Sequence, residues 1–202
     1  MARPFKSNSV WLVGGASGTG KSRLAYDLAR RLDIPIVEID DIVEALFAMT
    51  TPEQQPALHF WRTHPEAASW APERILELHI ATVRALVPAV EAVIANHLET
   101  DTPVVIEGDY LLPETAAREA FGEVANEGRV RAVFLVETDS ARIVSNFRSR
   151  EPADGEQLDR ATVSSLFGAW LAAEAALVGI PVIAPRPWRT VVERALAAIA
   201  TA

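Results

Sequence analysis

The chain has 202 residues, no cysteine, and 27 acidic against 19 basic side chains, for a formal net charge of -8. A length of this order accommodates one large domain, and 50% hydrophobic with 23% charged residues supplies enough apolar surface for a buried core. The lack of cysteine excludes disulfides and thiolate metal sites and fits a reducing compartment, while the acidic balance argues against an extended nucleic-acid surface, which needs Lys and Arg spread along a face.

The opening segment, Met1 to Ser9, has no apolar stretch of signal-peptide length, and no later apolar run approaches the roughly 20 residues of a membrane helix. A cytoplasmic protein without a membrane partner is expected. Five short apolar runs read as strands: Val10 to Val13, Pro35 to Ile39, Pro103 to Ile106, Val130 to Val136 and Ile180 to Ile183. Most lack an apolar/polar alternation, as expected of parallel strands covered on both faces. Helical stretches lie between them, at Lys21 to Leu32, Asp41 to Met49, Pro72 to Leu98, Ser140 to Arg150, Ala161 to Val178 and Thr190 to Ala200. The alternation predicts an α/β layered fold. Residues 50–99 form a mostly helical insertion after the second strand, in which Pro88 is expected to kink or divide the long helix.

The strongest chemical signal is Gly14-Gly15-Ala16-Ser17-Gly18-Thr19-Gly20-Lys21-Ser22, a P-loop in register at Gly15, Gly20, Lys21 and Ser22, between a strand and a helix. Its glycines let backbone N–H groups turn inward around phosphate oxygens, and the following helix adds a positive dipole end. The pattern assigns residues 15–22 to ATP, Lys21 to the β- and γ-phosphates, and the Ser22 hydroxyl to Mg2+. A dinucleotide fingerprint fails, because Arg23 stands where its third glycine belongs. A nucleophile elbow and the signatures of a regulatory GTPase are absent.

Acids follow the second and third strands. Asp40 is the candidate base and a possible metal-side acid, and Glu107 is the candidate for Mg2+; Asp41 and Asp109 are acceptor-side candidates. Capping the helix that begins near Ile42 is the other role open to Asp40. Arg142, Arg148 and Arg150, followed by a turn-rich segment and Arg160, suit a lid over residues 142–160 that stabilises charge on a transferred phosphoryl group. A solvated helix end is the alternative. In the insertion, His59, Trp61, Arg62, His64 and Trp70 suit an acceptor pocket or ordinary packing, with Arg62 reading an anionic group. After the last strand, Arg186 or Trp188 offers a surface for a nucleobase. The histidines lack zinc-ligand spacing.

Together, Gly14 to Ser22, Ile39-Asp-Asp-Ile-Val-Glu44 and Ile106-Glu-Gly-Asp-Tyr-Leu-Leu-Pro113 resemble the P-loop kinases of small molecules, the group that includes shikimate, gluconate and nucleoside monophosphate kinases and chloramphenicol phosphotransferase. Within that group the chain is most similar to 2-phosphoglycerate kinase-like proteins. The resemblance implies a single P-loop kinase domain over 1–202, a five-stranded parallel sheet, Mg-ATP as donor, an arginine-bearing lid and a small-molecule hydroxyl acceptor, in a monomer or homodimer. It departs from that family where Asp109 and Tyr110 replace the histidine that usually follows the Glu-Gly pair. The added charge leaves the acceptor open between a 2-phosphoglycerate-like metabolite and a neutral or cationic alcohol, as in antibiotic-modifying enzymes. An ATP-binding switch or ATPase with a protein partner at the insertion is the alternative reading.

Overall fold

The structure, a computed structural model, describes residues 9–201; residues 1–8, including Lys6, and Ala202 lie outside the described residues, and so does most of the segment read for a leader. The chain begins with β1 (Val10–Gly15), α1 (Lys21–Leu32), β2 (Ile36–Glu38) and α2 (Ile39–Met49). The insertion follows as α3 (Pro56–Thr63), a 3-10 turn (Pro65–Ser69) and α4 (Pro72–Glu99). Next come β3 (Val104–Gly108), α5 (Pro113–Ala116), a hairpin of β4 (Ala120–Phe121) and β5 (Val124–Ala125), then β6 (Val130–Leu135) and α6 (Ser140–Arg150). A 3-10 turn (Pro152–Asp154), α7 (Leu158–Leu177), β7 (Val182–Ile183), a 3-10 turn (Trp188–Thr190) and α8 (Val191–Thr201) complete it.

Five strands pair in parallel in the order β2-β3-β1-β6-β7. The central three are almost wholly buried, whereas the short edge strands are only partly covered. Because side chains alternate across a strand, Val10, Leu12, Val104, Ile106, Ala132 and Phe134 enter the core beneath α4 and α7. Trp11, Val13, Val105, Val133 and Leu135 enter the opposite core, beneath α1 and α8. The result is a three-layer α/β fold with the expected five-stranded parallel sheet.

Three sequence expectations need correction. Pro88 does not divide its helix, since α4 is unbroken from Pro72 to Glu99. Burial of Val83, Leu86, Val90, Ile94 and Leu98 on either side of the proline offsets its helix-interior cost of about 3 kcal/mol. That same helix is long and apolar enough to cross a membrane by length and composition alone, contrary to the expected absence of such a run. Its apolar stripe faces the core and the neighbouring α3 and α7. Finally, the second strand stops at Glu38, so Asp40 lies in the first turn of α2; Glu38 is the N-cap and makes no side-chain capping bond.

Leu86→Ala and Ile94→Ala are each expected to lower unfolding stability by about 2–5 kcal/mol, as truncation of a filled core does. Met49→Ala, at a position 80% exposed, should stay within about 0.5 kcal/mol of the parent. Urea midpoints at unchanged slope provide the measurement, and a Leu86→Ala loss as small as that of Met49→Ala would contradict the packing of α4.

Candidate active site

The P-loop joins the buried end of β1 to the start of α1, and its backbone requires glycine at specific points. Gly15 has φ +145° and Gly20 has φ +90°, conformations that an L side chain rarely adopts. A Cβ on Gly20 would also overlap the Trp188 indole. The loop is braced from several sides. Thr19 Oγ1 donates to the Ala16 carbonyl at 2.8 Å, Asn146 Nδ2 of α6 donates to the Gly18 carbonyl at 2.7 Å, and the Ser164 hydroxyl of α7 donates to the Ser17 carbonyl. With three of its carbonyls engaged by side chains, the loop is held in the shape that suits an anion.

Lys21 is buried and forms an ion pair with Asp109, which follows β3. Burial by itself lowers the Lys21 pKa, but attraction to Asp109, Glu107 and Asp40 wins and holds it above its ordinary value. The carboxylates respond in kind. Burial, reinforced by repulsion from Asp109 and opposed by Lys21, pushes Asp40 up. Burial also pushes Glu107 up, against the pull of Lys21 and a hydrogen bond from Ser22. The tertiary structure thus gathers Lys21, Ser22, Asp40, Glu107 and Asp109 at one edge of the sheet; Asp40 and Asp41 are both exposed on the first turn of α2, and of the two Asp40 interacts with Lys21 and Asp109.

The Ser22–Glu107 pair fits a magnesium ion that arrives with a nucleotide. Mg2+ then draws most of its oxygens from phosphate and water and needs one or two protein groups. Glu107 Oε2 is buried without a hydrogen-bond partner, beside the Ser22 hydroxyl bonded to the same carboxylate. Among the described residues no group of three or more His, Asp or Glu side chains is placed to hold a metal ion.

The lid arginines divide into two sets. Arg142 pairs with Asp139 at 3.2 Å and lies 3.9 Å from Glu137, and Arg186, far later in the chain beyond α7 and β7, reaches the same Glu137 at 4.0 Å. Arg186 also lies over the Trp188 ring at 5.7 Å, so two arginines named for ATP converge on one buried carboxylate after β6. Arg150 and Arg160 instead hold Glu151, at 2.7 and 2.5 Å, and both approach the Phe147 ring. Arg148 is exposed in the last turn of α6.

Beside Ser17 and Asp109 opens a cavity of about 430 Å³. Trp61, Ala68, Ile75, Val163 and Phe167 form its apolar wall, and its polar lining adds His79, Asp159, Arg160 and Ser164. Of the acceptor-side candidates Asp109 and Trp61 line it. Arg62 is tied to Glu44 at 2.9 Å and covers the Phe47 ring. His59 bonds Thr50, His64 stacks on Phe60, and Trp70 also packs near Phe60, so these residues fasten the insertion together. Sequence reasoning passed over His79, whose ring contacts Phe167 edge-on and faces Tyr110. Burial lowers the His79 pKa, and it raises that of Tyr110 to about 12, helped by Asp109. The available signal was spacing: Ile75 and His79 lie four apart on α4, as do Val163 and Phe167 on α7.

Gly20→Ala should cost about 1–3 kcal/mol through the positive φ and the overlap with Trp188. Pairing it with Trp188→Ala should relieve the overlap but not the φ strain, giving a double-mutant coupling measurable by chemical denaturation. Zero coupling would show that the indole does not press on the loop.

Residues 10–170 match the AAA domain family. Curated relatives include "2-phosphoglycerate kinase" of Methanococcus maripaludis strain C5, 30% identical over 54% of this chain and 37% of that protein. The protein of the same name from Pyrococcus horikoshii is 29% identical over 75% of this chain and 51% of its own length. The chain thus spans about half or less of these curated relatives. A gluconokinase from Sinorhizobium meliloti 1021 shares the fold, with a TM-score of 0.59 and 19% identity over 97% of this chain and 94% of that one. Because the family match runs from the first strand into α7, and so takes in the phosphate loop, the strand-end acids and the cavity wall, the chain belongs to the AAA domain family.

Proposed function

We propose that the protein is an ATP-dependent phosphotransferase that moves the γ-phosphoryl group of Mg-ATP to a hydroxyl of a small molecule. The observation that carries this reading is the contact of two features: a P-loop lysine set among Asp40, Glu107 and Asp109, and an open cavity lined by Asp109 and by Ser17 of the same loop. The kinase names of the curated relatives support it. In the reaction the acceptor oxygen bonds to the γ-phosphorus while the bridge to the β-phosphate breaks, and that electron pair leaves with ADP. Asp40, with its raised pKa, accepts the hydroxyl proton.

Lys21 neutralises charge on the β- and γ-phosphates, and residues 15–22 cradle them through backbone N–H groups. Ser22 and Glu107 would hold magnesium, which supplies charge neutralisation on the phosphate oxygens. Arg142 and Arg186 belong to the nucleotide side, and Arg148 and Arg150 to a lid over residues 142–160 of one kinase domain, with residues 50–99 on the acceptor side. Asp41 and Arg62, expected at the acceptor, would take part only if α2 and α3 move inward on binding. The cytoplasm suits a cysteine-free chain of this kind. For the switch reading Trp61 offers less support, since it lines the cavity, while Trp70 stays exposed beside Phe60.

Lys21→Ala should abolish nucleotide-dependent turnover, and Asp40→Asn should lower kcat at least about a hundredfold while leaving nucleotide affinity within severalfold. Coupled ADP release and calorimetric titration of a nonhydrolysable ATP analogue give the two readouts. Full phosphotransfer by Asp40→Asn would remove Asp40 as the base, and unchanged turnover by Lys21→Ala would remove the kinase reading itself.

A further inference from the structure

The cavity beside the P-loop is unlike a receptor for a highly charged metabolite. One side of α4 presents Ile75 and His79, one side of α7 presents Val163 and Phe167, and Trp61 and Ala68 close the insertion end. Its charged lining is Asp109, Asp159 and one cation, Arg160. Arg160 is committed elsewhere: its Nη1 donates to Glu151 at 2.5 Å and to Gln157 at 2.7 Å, and its guanidinium lies 4.4 Å from the Phe147 ring centroid. Lys21, which pairs with the cavity-lining Asp109, is assigned above to the phosphates of the nucleotide. A carboxylate or phosphate on the acceptor would meet two carboxylates, an arginine already paired with Glu151 and an apolar wall, and burying an anion without a free cationic partner is costly. Recognition of such groups ordinarily depends on arginine forks free to point at them.

We infer that the acceptor is a neutral alcohol with an aromatic or alicyclic body, seated between α4 and α7 against Trp61, Ile75, Val163 and Phe167, and not a phosphorylated carboxylate such as 2-phosphoglycerate. This rests on the phosphotransferase reading above and narrows it. A volume of about 430 Å³ lies within the range of pockets that enclose small organic ligands. Apolar burial supplies the binding, and the hydroxyl is delivered at the Asp109 end, where the cavity meets the P-loop. His79 is the polar group part-way along the wall. Burial keeps its imidazole neutral near pH 7, so it offers a hydrogen bond without attracting an anion.

The test compares three probes as acceptors from Mg-ATP: phenylpropanediol, phenyllactate, which carries a carboxylate where the diol has a hydroxymethyl group, and 2-phosphoglycerate. The expected result is a kcat/KM for the diol at least tenfold above that for either anion. Val163→Arg adds a cation to the wall and should narrow the diol-to-phenyllactate ratio at least fivefold, while Val163→Leu preserves it; circular dichroism and thermal melting establish that each variant is folded. An anion used as well as the diol, or a folded Val163→Arg protein with an unaltered ratio, overturns the inference. Transfer to 2-phosphoglycerate alone overturns it and leaves the kinase reading standing. Transfer to none of the probes also overturns it, and if Lys21→Ala then leaves ATP consumption unchanged, the kinase reading falls with it.

Discussion

One ammonium group, that of Lys21, answers for the carboxylates of Asp109, Glu107 and Asp40 at the edge of the sheet where β1 and β3 end. Removing these charges from water is costly, and the cluster persists because each carboxylate lowers the cost of burying the lysine while the lysine lowers theirs. The geometry of the surrounding fold serves that balance. β1 and β3 are hydrogen-bonded neighbours, so a loop after one and an acid after the other necessarily meet. The brace from Asn146 and Ser164 fixes the loop on its other side.

The same balance shapes ligand binding. In the proposed reaction a nucleotide would bring anionic oxygens to a lysine already paired with Asp109, so binding would exchange one counter-charge for another. That exchange would free Asp109 at the mouth of the cavity it lines. This couples the two halves of the site through one ion pair. It also explains why a net charge of -8 is compatible with anionic nucleotide: the local field at a glycine loop and helix N-terminus governs phosphate binding, and the global charge bears on extended polyanions.

Much of this was legible in the chain. The P-loop carries its own context, because the strand, the glycines, the lysine and the helix are contiguous and each is required by the same backbone geometry. Glu107 was readable as an acid ending a wholly apolar strand. Asp40 was readable as an acid near the second strand, although not its position inside α2, since a strand–helix boundary shifts readily by a residue or two. Arg62 was read as an anion contact because its type suits one, yet Glu44 on α2, eighteen positions earlier, claims it. Local pattern carries no information on which of several acids an arginine will meet.

The sequence alone determined the elements and the phosphate chemistry, because periodicity and a contiguous glycine loop are local properties of the backbone. Tertiary structure decided which distant groups share a space. It joined Arg142 to Arg186 at Glu137, turned His79 of α4 toward Phe167 of α7, and formed a largely apolar cavity between helices that β3 and β6 separate in the chain. The spacing of four that puts Ile75 with His79, and Val163 with Phe167, defines a face on each helix. Only the packing of α4 and α7 over the same side of the sheet makes those faces opposite walls of one site.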